Sequence, residues 1–97
     1  MEPSEALERH RDAIRHIVED NNALNPRVFG SVIHGADTED SDLDILVDEI
    51  DGRTTLISLA RIQVAIQNLT GVKAEVLTPL DLHERFRTTV VMEAQAV

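Results

Sequence analysis

Residues 41–47, Ser-Asp-Leu-Asp-Ile-Leu-Val, constrain this chain more than any other stretch. The segment alternates polar and apolar, then runs continuously apolar, which suits a largely buried strand. On a strand, side chains at i and i+2 share a face at a spacing of roughly 7 Å. Leu43, Ile45 and Val47 therefore point to a core, while Asp42 and Asp44 point together to the opposite face. A fold built on this strand must cover one side of a sheet and leave a pair of carboxylates on the other. Such a pair can ligate and partly share hard cations, which take oxygen ligands from one or two carboxylates and from substrate phosphates.

The rest of the chain supplies the cover. Ser4 is placed to cap a first helix reaching about Asn21, with Leu7, Ile14, Ile17 and Val18 on one face. Asn21-Asn22 breaks it, and Arg27-Val28-Phe29 reads as a short strand. A second long helix starts near Thr54 or Thr55, where Leu56, Leu59, Ile62, Ile66 and Leu69 form a stripe expected to face the core. Thr70-Gly71 stops it. Val72–Leu77 reads as a third strand, with Lys73, Glu75 and Leu77 on one face and Val72, Ala74 and Val76 on the other. Leu82, Phe86 and Val90 mark a final helix, and the tail from Glu93 to Val97 frays or adds a short edge strand. The order implies an α/β (α+β) sandwich, a small mixed β-sheet with helices packed on it. At 97 residues the chain is expected to form one domain, residues 1–97.

Gly30-Ser31 follows the first strand. Glycine lets backbone approach an anion closely, and Ser31 adds a hydroxyl and an N–H that can open a short helix toward phosphate. Gly35 ends that turn, and the acidic run Asp37–Asp40 reads as a solvated surface loop. Gly30 and Gly35 match the glycine spacing of a P-loop, but Ala36 stands where that motif needs lysine. An EF-hand loop beginning at Asp40 would need glycine where Ile45 stands and glutamate where Asp51 stands.

The pattern Gly30-Ser31 followed by Asp42-x-Asp44 resembles the signature of the polymerase-beta-like nucleotidyltransferases. The order of elements and the C-terminal segment resemble their minimal group, the MNT proteins, often antitoxins paired with HEPN-domain toxins. The resemblance implies that Asp42 and Asp44 bind Mg2+, two ions in a complete site, and that Gly30 and Ser31 hold the triphosphate of ATP. It also implies a third carboxylate from the strand after the long helix. Glu75 occupies that place, where relatives commonly carry aspartate, and would complete the metal site or take the proton from the attacking hydroxyl. His34 stands where many relatives carry arginine, as a phosphate contact or a brace for the loop.

Composition narrows the partners. A net charge of −9 argues against general nucleic-acid affinity, and the only aromatics, Phe29 and Phe86, offer little for base stacking. There is no cysteine, hence no disulfide or thiol chemistry, as is usual for a cytoplasmic protein. No apolar run approaches the roughly 18 residues of a membrane span, and no signal peptide is visible. So short a chain holds a donor site with little left to grip an acceptor, so a partner protein is expected to present it. The function expected is an ATP-using protein adenylyltransferase acting as antitoxin on a HEPN-type toxin, alone or in a homo- or hetero-oligomer. The alternative is a non-catalytic antitoxin that neutralises its partner by occlusion. Modification of a small molecule or of an RNA end ranks lower.

Overall fold

A computed structural model describes the whole chain, Met1–Val97. Helix α1 (Pro3–Asp20) leads into β1 (Ala23–Phe29) and a 3-10 turn at Gly30–Val32. Strand β2 (Leu43–Glu49), helix α2 (Leu56–Thr70) and strand β3 (Ala74–Leu77) follow. A second 3-10 turn at Pro79–Asp81, helix α3 (Glu84–Glu93) and a short β4 (Gln95–Ala96) complete the chain. The sheet has the order β3-β2-β1-β4. The β2–β3 pair, joined through α2, is parallel, while β1 pairs antiparallel with both β2 and β4. This is the mixed sheet expected from the sequence.

The core lies on one side of that sheet. Leu43, Ile45 and Val47 of β2, with Val28, Ala74 and Val76 beside them, meet Ala6, Leu7, Ile14 and Val18 of α1 and Ile62 and Ile66 of α2. Asp42 and Asp44 alternate to the other side, as the period-2 pattern requires.

Several boundaries differ from expectation for identifiable reasons. Strand β1 starts at Ala23 because Asn25, at φ 54°, lets it pass through Asn25-Pro26 with a shift of register between Leu24 and Arg27. Helix α1 begins at Pro3, whose fixed φ suits a first helical position. Ser4 does not cap it; instead the Ser4 N–H donates to Asp37 Oδ2 at 2.9 Å. The stripe on α2 is rotated relative to expectation. Ile62 and Ile66 are buried and Leu59 packs against the core, but Leu56 is 83% exposed and Leu69 is also exposed, while Ser58 and Thr70 take buried positions. Helix α3 buries none of its residues, and Phe86 is 58% exposed with its ring against His83.

Ser58 is buried because it completes a reciprocal cap. Its N–H donates to Thr55 Oγ1, and its Oγ accepts from the Thr55 N–H, both at 3.1 Å. Thr55→Ala is expected to lower stability by about 1 kcal/mol, read as a lower urea midpoint at unchanged slope.

Both sheet edges are secured. Outside β3, the side-chain carbonyls of Gln67 and Gln63 accept from the backbone N–H groups of Ala74 (3.0 Å) and Val76 (3.3 Å), which blunts that edge. At the other edge the Val97 N–H donates to Pro26 O at 3.0 Å, and Arg15 Nη1 donates to Val97 O at 2.6 Å. The tail thus adds an edge strand rather than fraying.

Candidate active site

Strand register assembles the site. In the parallel pair, Asp44 lies opposite Glu75, and in the antiparallel pair it lies opposite Phe29, the residue before Gly30. Partners in register share a face, so Glu75 projects beside Asp44 and the Gly-Ser turn begins at the same level. Asp42, Asp44 and Glu75 each offer a carboxylate oxygen, and those oxygens lie within 4.8 Å of one another. Asp42 and Asp44 are half-buried and Glu75 is exposed.

Gly30 sits directly against this cluster. Its φ of 77° is left-handed, and a methyl group there would overlap Asp44 Oδ2 and approach Cγ to 3.3 Å. The residue is required both by its conformation and by the space it leaves. Ser31 follows in the 3-10 turn, its carbonyl accepting from the Ala36 N–H at 3.0 Å.

The electrostatics are those of crowded negative charge. The ion pairs of the structure join Arg11 to Glu8, Arg15 to Asp12, Arg27 to Asp48 and His34 to Glu93, and none reaches the cluster. Burial, with the charges of Glu75 and Asp42 beside it, pushes the Asp44 carboxyl up to about 6. Three mutually close oxygen ligands without a side-chain counter-ion suit a hard divalent cation such as Mg2+, which would relieve that repulsion.

The remaining sequence candidate lies at the rim. His34 Nε2 stands 3.2 Å from Glu93 Oε2, so the loop after Gly30-Ser31 is braced against the end of α3. Asp37, read as part of a solvated loop, instead anchors that loop to the start of α1. The Ser4 N–H holds its carboxyl below the usual carboxylate range. Neither contact is visible to a reading of local pattern, because the partners are 59 and 33 residues away. An aspartate inside a polar loop carries no mark of the helix it caps.

A mixed sheet covered by helices on one side, with a Gly-Ser turn against a carboxylate cluster on the other, has the polymerase-beta-like nucleotidyltransferase fold. The family model of the nucleotidyltransferase domain matches residues 7–97, and the chain belongs to that family. It is 31% identical over 67 residues to a Methanocaldococcus jannaschii protein named "Putative protein adenylyltransferase", covering 69% of this chain and 71% of that one. It also resembles a solved structure described as a "putative minimal nucleotidyltransferase", at 36% identity and TM-score 0.81, over 97% of this chain and 93% of that one. A toxin–antitoxin crystal structure with AMP-PNP shares the fold at 18% identity and TM-score 0.69, over 84% of this chain and 66% of that one. No helix is long and apolar enough to cross a membrane.

Proposed function

We propose that this nucleotidyltransferase is Mg2+-dependent, uses ATP and transfers AMP to a hydroxyl of a partner protein, acting as the antitoxin of a HEPN-type toxin. The observation that carries the reading is the Asp44–Glu75 register, which gathers three carboxylates beside a left-handed glycine whose added Cβ would overlap Asp44. The named activity of the Methanocaldococcus relative supports protein as the acceptor class. The toxin–antitoxin neighbour with its ATP analogue supports the partner and the nucleotide.

In this proposal Asp42, Asp44 and Glu75 hold the metal. Bound magnesium supplies neutralisation of the triphosphate and of charge developing in the transition state. Gly30 and Ser31 cradle the phosphates, and His34 belongs to the same loop, held at its rim by Glu93. Glu75, the most exposed of the three carboxylates, is placed to accept the acceptor's proton. The acceptor oxygen, a tyrosine hydroxyl by family resemblance, then forms its bond to the α-phosphorus. The bond from that phosphorus to the bridging oxygen breaks, and pyrophosphate leaves with the electron pair. The cluster lies on a sheet face that α1 and α2 do not cover, so the acceptor can arrive from outside the chain.

The test is transfer of α-labelled ATP in the presence of magnesium and the proteins that co-purify from the same operon. Label is expected on the partner with the intact chain and not with the Asp42→Asn/Asp44→Asn double variant. A complex that forms equally with both chains while neither transfers label would replace this reading with neutralisation by occlusion.

A further inference from the structure

The outward side of α2 is an apolar surface left without a partner. A shallow groove of about 400 Å³ runs along it, lined by Ile57, Ala60, Arg61, Val64, Ala65 and Asn68. Ile57 is 64% exposed and Val64 52%. The spacing of Ile57, Ala60 and Val64, three residues and then four, is that of a helix–helix seam. Since Ile62 and Ile66 fill the core on the inward side, α2 is apolar on both sides, the pattern of a helix covered twice.

We infer that this face of α2 is a two-fold interface between copies of this chain, with the two α2 helices packed antiparallel. Charge identifies the occupant. Each chain carries 18 acidic residues and a net charge of −9, so most approaches of two copies bring carboxylates together. Helix α2 holds no carboxylate, and Arg61 is its one charged residue. Two such chains can meet there with no carboxylate on either helix.

The groove is also complementary to itself. A two-fold axis through its midpoint sets Ile57 of one copy against Asn68 of the other and Ala60 against Ala65. It lays the stem of Arg61 along Val64, with its guanidinium toward the Asn68 amide oxygen. The small residues allow close approach of the backbones, and no like charges are opposed. A 15-residue helix is about 22 Å long, and such a pair buries on the order of 1,000 Å² in total, at the lower edge of stable interfaces. The association is therefore weak and concentration-dependent. Because α2 and the carboxylate cluster lie on opposite sides of the sheet, both candidate active sites remain open and face away from each other.

Sedimentation equilibrium on the full chain tests this. The average mass is expected to rise from 10.8 kDa toward twice that value between micromolar and submillimolar concentration. The rise is expected to be steeper at high salt, where repulsion between the acidic chains is screened. Val64→Glu, at an exposed position, is expected to keep the one-chain mass throughout, with an unchanged circular dichroism spectrum. The chain has no cysteine, so mixing Ala60→Cys and Ala65→Cys proteins under mild oxidation reads the register directly. From equal amounts of the two proteins, the mixed disulfide is expected to exceed either symmetric one by well over the twofold excess that random pairing gives. A constant one-chain mass at every concentration overturns the proposal and leaves the face to a different protein. Equal association of Val64→Glu, or preferential Ala60→Cys to Ala60→Cys linkage, overturns it as well.

Discussion

Asp44→Asn is expected to abolish nucleotidyl transfer while making the metal-free protein more stable at neutral pH. The two effects share one cause. Asp44 is half-buried with Asp42 and Glu75 against it, and its carboxyl is pushed up to about 6 from an ordinary 3.8. Between those values the folded protein holds a proton that the unfolded chain has released. Stability therefore falls as pH rises from about 4 to about 6, and the penalty is fully present at pH 7. Asparagine removes the charge at nearly constant shape. The gain at neutral pH is about 1–2 kcal/mol once solvent screening at a half-buried position is allowed for. Transfer moves the other way. Losing a preorganised group that serves the charge of the transition state costs about 10²–10³-fold or more. Thermal melts at pH 4.5 and pH 7, with and without magnesium and ATP, check both halves. The wild type is expected to lose stability toward pH 7 and to recover it when the ligands are added, since they bind the folded state alone. The variant is expected to show a flatter pH profile and a smaller response to ligand. Full transfer activity in the variant, or a wild type more stable at pH 7 than at pH 4.5 without ligands, would remove Asp44 from the role assigned here.

The parts of this arrangement that were legible in the sequence are those set by local period. Asp42 and Asp44 share a face because they stand two apart on a strand, and Gly30-Ser31 falls beside them because it closes the strand that pairs with theirs. Glu75 could be placed on the correct face of its own strand by parity. Its position level with Asp44 depends on the β2–β3 register, which the chain between them sets only after folding. The apolar stripe of α2 was the weaker inference, because the helix is apolar on two sides and Leu56 competes with Leu59 for the inward direction. The capping box then moves Ser58 inward and leaves Leu56 in solvent. Asp37 and Glu93 were beyond reach for another reason. Each contributes through a single contact to a residue distant in sequence, and neither contact leaves a periodic trace.

Gly30→Ala is expected to be among the most damaging single substitutions in the chain, and Gly35→Ala its control. Both glycines have left-handed backbones, at φ 77° and 66°. An L-residue forced to remain there costs about 1–2 kcal/mol, and that part is common to the two variants. They differ in their surroundings. Around Gly35 a methyl group meets nothing within 4 Å, whereas at Gly30 it overlaps the Asp44 carboxylate. Asp44 must turn its carboxylate to relieve the overlap, and a turn toward Asp42 or Glu75 raises the repulsion already present. Gly30→Ala should therefore cost about 2–4 kcal/mol in total, the excess over Gly35→Ala being the overpacking against Asp44. Urea unfolding of the two variants measures that excess. A double-mutant cycle with Asp44→Ala assigns it, since the deletion removes the overlap and leaves the backbone term. In that background the costs of Gly30→Ala and Gly35→Ala are expected to converge. If they already coincide in the wild type, Gly30 serves the turn alone, and the close contact between the Gly-Ser turn and the carboxylate cluster plays no part in holding the site together.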